Sequence, residues 1–239
     1  MRVLRSLCRS ASGQCACEEL RKRGWEITQE EAGSVKAVLA DVPLRPDPIL
    51  NTLPKGTRVF GGRLVGSLPE GLDPIDLLLD PEFAARNADI TARCALRLLS
   101  GYLTDTLPGL PVLVAGWGRI GKCLARYLRL LGADTLVYAR KPEDRAILNA
   151  LGYRGIDRQE MLKELPRIRV VFNTVPAPIL SAADTRECSD AILIDLASVP
   201  GIEDSRVLTA RGLPGAMAPA AAGRLIADTV ARLWKEETE

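Results

Sequence analysis

The sequence has no histidine among its 239 residues. Histidine is the side chain that most often transfers protons near neutral pH, so any acid or base must be Asp, Glu, Lys, Tyr, Cys or bound water. Six cysteines are present, but none form a CxxC pair, and without histidine the group Cys8, Cys15 and Cys17 makes a poor metal site. We therefore predict no metal centre. The scattered cysteines also lack a disulfide framework, which favours a reducing, cytoplasmic environment.

The chain also lacks a large charge excess and a long apolar run. Lys and Arg total 32 against 30 for Asp and Glu, and a net charge of +2 offers no basic footprint for nucleic acid or an anionic membrane. No segment approaches the roughly 20 apolar residues that a bilayer span needs. The Arg- and Ser-rich start is better explained as a strand and turn than as a transit peptide. We expect a soluble protein with a small ligand.

Two domains are predicted from the order of apolar segments. In residues 1–84, short apolar runs alternate with polar turns, which indicates a small α/β layer of about four strands, with loops expected at residues 42–54 and 66–74. A helix from Asp80 onward links this domain to residues 85–239. There, the apolar strands PVLVAG, TLVYAR, RVVFNT and AILIDLA are separated by helices, a pattern typical of a doubly wound parallel sheet. A closing helix from about Pro219 to Trp234 is assigned to this second domain.

The segment GWGRIG lies between the strand PVLVA and the helix KCLARYLRLLG, which is the context of a dinucleotide-binding fingerprint. Gly116 is expected to make the tight turn, Gly118 to let a diphosphate approach the backbone, and Gly121 to let the helix pack against the strand. Unpaired N–H groups at the helix start would face the phosphates. The predicted contacts here are Gly116, Trp117, Gly118, Arg119, Ile120 and Gly121, with Trp117 covering one edge of the cofactor. The alternative is a plain turn.

The end of the next strand predicts which cofactor binds. An NAD-selective site usually has Asp or Glu there to bind the ribose hydroxyls. This chain instead has Ala139, followed by Arg140 and Lys141. Two cations without a carboxylate would attract the additional 2′-phosphate of NADP, and Arg can bind it through two parallel hydrogen bonds. We therefore predict NADP, the alternative being a solvated pair of cations after a strand.

Two later strand ends carry further candidates, because ligands of open parallel sheets lie beyond the carboxyl ends of the strands. Asn173 and Thr174 could bind a ribose or a carboxamide, and the prolines that follow would hold their loop rigid. The other strand ends at Asp195, with Ala197 close behind as a further cofactor contact. Asp195 is either a ligand contact or a structural cap for a neighbouring turn.

Five segments, GWGRIGKCLARYLRLLGA, YARKPED, FNTVPAPIL, IDLASVPG and GLPGAMAPAAAG, together resemble the A-type subunit of dipicolinate synthase. The resemblance extends from about Asp80 to Leu233. It implies the architecture of D-2-hydroxyacid dehydrogenases, and hence a fold of class α/β, with a Rossmann-type doubly wound parallel sheet preceded by a small flavodoxin-like α/β domain. It further implies NADP-linked oxidation of a dihydrodipicolinate-type precursor to dipicolinate during spore formation, together with a separate flavoprotein subunit as partner. It assigns the cofactor to Gly116, Gly118, Arg119, Ile120, Gly121, Arg140, Lys141, Asn173, Thr174, Val175 and Pro176.

The sequence departs from the family pattern where the substrate is expected. A family motif like NAxxTAEGA is NADITARCA here, so that Arg93 and Cys94 replace a glutamate and a glycine. Lysine, glycine or threonine is also lost at Val199, Ile202, Ala220 and Ala221. The chain is shorter than the family pattern between Arg211 and the GLPG turn, and in the amino-terminal domain.

Three hypotheses for function follow. The first is an NADP-dependent dehydrogenase of a small dicarboxylate, with Asn87, Thr91, Arg93 and Asp195 as the candidate substrate-site residues. The second is a subunit or regulator that binds NADP but has lost turnover. The third is a related NADP-linked oxidoreductase with another substrate, because a fold does not fix the reaction. The apolar faces of the linking and closing helices would also suit a homodimer.

Overall fold

The computed structural model describes residues 2–29 and 36–236. These residues form two compact units, the first made of residues 2–29, 36–90 and 214–236 and the second of residues 91–213. In chain order the strands and helices are β1 (Val3–Ser6), α1 (Ala11–Lys22), β2 (Glu26–Thr28), β3 (Ala37–Leu39), β4 (Arg58–Gly61), β5 (Asp73–Asp76), α2 (Pro81–Ser100), β6 (Pro111–Ala115), α3 (Arg119–Leu130), β7 (Asp134–Tyr138), α4 (Pro142–Ala150), β8 (Arg154–Ile156), α5 (Arg158–Glu164), β9 (Val170–Asn173), α6 (Ala182–Arg186), β10 (Ile192–Asp195), β11 (Leu208–Thr209), α7 (Leu213–Met217) and α8 (Pro219–Glu236).

The first unit is built on a parallel sheet. Within the described residues its five strands follow the order β2-β1-β3-β4-β5, which is the flavodoxin-like doubly wound order. The turn from β1 into α1 is fixed by Asp41, which is buried just after β3. The Asp41 carboxylate accepts hydrogen bonds from the backbone N–H groups of Arg9 and Ser10 and from Ser10 Oγ. Ser10 in turn caps α1 by accepting a hydrogen bond from Gly13 N.

The second unit contains the Rossmann-type sheet. Its described strands follow the order β11-β10-β9-β6-β7-β8, and every pair of neighbours is parallel. The order reverses between β6 and β9, which is the point where open α/β sheets bind dinucleotides. Four residues lie side by side at the carboxyl edge: Tyr138, Ala115, Asn173 and Asp195. The segments expected to bind the cofactor therefore begin at neighbouring positions on one edge, and the predicted fold class is confirmed.

The domain boundaries differ from those expected. We assigned the closing helix to the second domain, but α8 lies in the first unit. Its Leu225, Ile226 and Val230 belong to the same buried cluster as Leu4 and Phe60 of the first sheet. The apolar periodicity of α8 correctly predicted a helix with one buried face, but periodicity does not specify which sheet covers that face.

One strand was also missed in the first unit. Residues 66–74 were expected to be a loop because of their glycines and prolines, yet β5 begins at Asp73 and contains Pro74. β5 lies at the edge of the sheet, where proline costs no hydrogen bond to a further strand. In the described residues, no helix is long and apolar enough to cross a membrane.

Candidate dinucleotide site

The glycine turn after β6 has the geometry that a diphosphate site requires. Gly116 has a φ of +108°, a conformation that residues with a side chain rarely adopt. A Cβ atom built on Gly121 would lie 2.1 Å from the Gly116 carbonyl oxygen, so α3 can approach this turn only with glycine at position 121. A Cβ built on Gly118 would have no heavy atom within 4 Å. The space above Gly118 is therefore open to a ligand.

The start of α3 can accept an anion. Gly118 is the N-cap residue, and no side chain caps the helix there. The first turn contains no acidic residue and begins with Arg119, which is exposed. Because the first N–H groups of a helix have no intrahelical partner and carry the positive end of the helix dipole, this end favours a phosphate.

Thr174 and Val175 shape the glycine turn from the end of β9. Thr174 donates two hydrogen bonds to the Ala115 carbonyl, from its backbone N and from Oγ1, each at 2.9 Å. A Cβ built on Gly116 would meet Thr174 Oγ1 at 2.5 Å and Val175 Cγ2 at 2.9 Å. These two predicted cofactor residues therefore lie at the site and support the turn directly.

The side chains of Asn173 and Asp195 form hydrogen bonds with each other and with nearby backbone groups. Asn173 is fully buried, and its Nδ2 donates to Asp195 Oδ1 at 3.0 Å and to the Val175 carbonyl at 3.2 Å. Asp195, which is 3% exposed, also accepts hydrogen bonds from the backbone N–H groups of Ala197 at 3.0 Å and Gly201 at 2.7 Å. This geometry is that of a structural cap, the second of the two alternatives. Both residues hold the loops after β9 and β10 in place.

The predicted basic pair lies at the end of β7. Ala139 is buried, whereas Arg140 is exposed, and no ion pair involves Arg140 within the described ranges. Lys141 Nζ lies 3.9 Å from Glu143 Oε1, so its charge is partly compensated. Arg145, which no sequence motif had singled out, donates from Nη1 to the carbonyl oxygens of Ala139 and Arg140, each at 2.9 Å. The sequence signal that could have identified Arg145 is its position near the start of α4, a few residues after Arg140 and Lys141.

Trp117 contacts other residues of the second unit. Its ring centroid is 5.7 Å from that of Tyr153, at an interplanar angle of 58°, and Lys122 Nζ lies 5.6 Å from its ring centre. The half-buried ring is thus held beside the glycine turn by an aromatic and a cation–π contact. Its predicted contact with the cofactor stays a prediction.

The three substrate-site candidates on α2 do not share one face. Asn87 and Thr91 are one turn apart and lie on the same side of the helix. Arg93 lies two residues beyond Thr91, which at 3.6 residues per turn is about 200° around the axis. The Arg93 guanidinium lies 4.7 Å from the ring centre of Tyr127 on α3. Arg93 therefore lies on a different face of α2 from Asn87 and Thr91, and its predicted role of supplying a charge to the substrate stays a prediction.

The replaced family positions Val199, Ile202, Ala220 and Ala221 differ in their exposure. Val199 is 48% exposed, and Ile202 is buried and forms a bridge with Leu180. In the first unit Ala220 is exposed and Ala221 is half-buried. Among the described residues, no group of three or more Cys, Asp or Glu side chains could hold a metal ion.

Comparisons with known proteins agree with this architecture, although no model of a known protein family matches the chain. The chain is 31% identical over 164 residues to the A-type subunit of dipicolinate synthase of Bacillus subtilis (strain 168), a match that covers 65% of this chain and 55% of that relative. It thus spans little more than half the length of the relative. The solved structure of the A-type dipicolinate synthase subunit from Bacillus halodurans has a TM-score of 0.84 at 23% identity and covers 97% of both chains. D-lactate dehydrogenase from Escherichia coli has a TM-score of 0.64 at 16% identity, covering 100% of this chain and 97% of its own.

Proposed function

We propose that this homologue of the A-type subunit of dipicolinate synthase binds NADP and oxidises a dihydrodipicolinate-type precursor to dipicolinate in spore formation. The observation that carries the proposal is the glycine turn, where an open space above Gly118 meets an uncapped helix start without acidic residues. A diphosphate fits both features, because it needs close approach to the backbone and unpaired N–H donors.

Different residues of the second unit would bind different parts of the cofactor. The first N–H groups of α3 would bind the diphosphate, and Arg119 would add a positive charge beside it. Arg140 would bind the 2′-phosphate. Arg145 would hold this backbone segment in place, because it donates hydrogen bonds to the carbonyl oxygens of Ala139 and Arg140. When bound, the cofactor would supply the hydride acceptor, so that the precursor and NADP+ give dipicolinate, NADPH and a proton.

A second candidate function is a subunit or regulator that binds NADP but lacks turnover. It is favoured by Asp195, whose carboxylate already accepts three hydrogen bonds, and by Arg93, which lies over Tyr127. A proton acceptor must reach the proton that it removes, and Asp195 is 3% exposed.

One set of measurements separates the two functions. The purified chain is titrated with NADP, NADPH and NAD by calorimetry, and cofactor reduction is followed with dihydrodipicolinate, with and without a flavoprotein partner. NADP binding with turnover supports the dehydrogenase. NADP binding without turnover under both conditions supports the regulator, and no affinity for any of these nucleotides refutes both.

A further inference from the structure

Two cysteines of the first unit, Cys8 and Cys17, lie close to one another at the turn between β1 and α1. Cys8 follows the carboxyl end of β1, and Cys17 lies in the second turn of α1. Ser6 Oγ accepts a hydrogen bond from Cys8 N at 3.3 Å and lies 3.1 Å from Cys17 Sγ. A single oxygen atom therefore contacts both residues.

The Cys8 thiol lies against α1 on the side that carries Cys17. A Cβ built on Gly13 would lie 2.9 Å from Cys8 Sγ, and Gly13 precedes Cys17 by one helical turn on the same face. Cys8 Sγ also lies 3.5 Å from the Leu39 carbonyl oxygen. Cys17 is buried and Cys8 is partly exposed.

The two thiols differ in acidity because they interact. The hydrogen bond from the Cys8 thiol lowers the pKa of Cys17 to about 7, with further help from Ser6 and the charge of Arg21. The same hydrogen bond, together with burial, raises the pKa of Cys8. These shifts favour a Cys17 thiolate beside a Cys8 thiol, which is the state that thiol–disulfide chemistry uses.

We propose that Cys8 and Cys17 form a redox-active pair that a peroxide converts to a disulfide and a dithiol reductant restores. The Cys17 thiolate attacks one peroxide oxygen, the O–O bond breaks, and the leaving hydroxide takes up a proton to become water. Cys8 then attacks the resulting sulfenic acid, so that an S–S bond forms, the S–O bond breaks and a second water leaves. Two electrons pass from the sulfur atoms to the peroxide.

Oxidation would alter the turn between β1 and α1. An S–S bond of about 2.05 Å replaces the contacts of the thiols with Ser6 and with the Leu39 carbonyl, so Cys8 must move toward the helix. The next residues, Arg9 and Ser10, are those that Asp41 holds. This turn lies between β1 and β3 at the carboxyl edge of the sheet, where the strand order reverses and ligands of such sheets bind.

Cys15 provides a matched control on the same helix. It lies two residues before Cys17 and therefore about 160° around the axis. A Cβ built on Gly223 of α8 would lie 2.5 Å from the Cβ of Cys15, so Cys15 packs against α8 and not against Cys8. A Cys15→Ser variant should leave the proposed pair intact.

The test uses the full chain, hydrogen peroxide and mass spectrometry. After oxidation and alkylation, the six free thiols should fall to four, with a mass loss of about 2 Da, a Cys8–Cys17 linked peptide and reversal by dithiothreitol. Cys15→Ser should behave as the unaltered chain, whereas Cys8→Ser should leave a sulfenic acid on Cys17 that dimedone traps. The pH midpoint of Cys17 alkylation should also rise in Cys8→Ser. Six remaining thiols in the folded, peroxide-treated chain, or a disulfide that involves another cysteine, would overturn the proposal.

Discussion

Replacing Gly118 with aspartate should make the protein more stable while removing its affinity for the cofactor. Gly118 is the N-cap residue of α3, with φ −79° and ψ −171°, a conformation that aspartate readily adopts at this position. A Cβ there meets no heavy atom within 4 Å, so the side chain enters without a clash. The aspartate carboxylate can accept hydrogen bonds from the first N–H groups of α3, which we assign to the diphosphate.

The two effects have opposite signs, and each has an expected size. An aspartate cap improves on glycine by a few tenths of a kcal/mol, and its charge at the helix start adds about 0.3–1 kcal/mol. The free energy of unfolding should rise by about 1 kcal/mol, and the melting temperature by about 2–4 °C. A carboxylate about 4 Å from a diphosphate charge costs about 4 kcal/mol near a protein surface, so NADP affinity should fall at least about 100-fold.

Thermal unfolding of the free protein and calorimetric titration with NADP measure these effects. Gly118→Asn is the matched control, because asparagine caps the helix without a charge and should weaken NADP binding much less than aspartate does. Unchanged NADP affinity in Gly118→Asp would show that no phosphate lies at this helix start. A large loss of stability would contradict the open space above Gly118.

Three further predictions test other parts of the second unit. Arg140→Ala should weaken NADP about 30-fold and NAD little, as measured by titration with each cofactor, and equal losses would refute the role of Arg140. Gly121→Ala should destabilise the protein by about 3 kcal/mol in denaturant unfolding, because its Cβ overlaps the Gly116 carbonyl; an unchanged midpoint would contradict that packing. Hydrogen bonding to Arg206 lowers the pKa of Asp204 from 3.8 to about 2. The folded pKa is thus below the unfolded one, and Asp204→Asn should lose about 1 kcal/mol at pH 7 and progressively less as the pH falls from about 5 to about 1, whereas a loss independent of pH would exclude this charge effect.

The nucleotide site shows how far local sequence signals reach. The glycine turn was predicted with its three separate tasks, because each depends on the backbone within six residues of chain. The roles of Asn173 and Asp195 were not resolved, since they depend on a contact between the ends of two strands 22 residues apart. Arg145 was missed for a related reason. Its contacts with the carbonyl oxygens of Ala139 and Arg140 follow from the angle at which α4 leaves β7.

The sequence alone determined most of the order of strands and helices, the parallel Rossmann-type sheet and the position of the cations, because periodicity and glycine placement act through the local backbone. Only the tertiary structure decided that α8 packs in the first unit and that Arg93 lies over Tyr127. It also decided that the Cys8 thiol lies against the face of α1 that carries Cys17. These outcomes depend on which elements pack against each other. The periodicity of a helix shows which of its faces is apolar, but it does not specify the element that packs against that face.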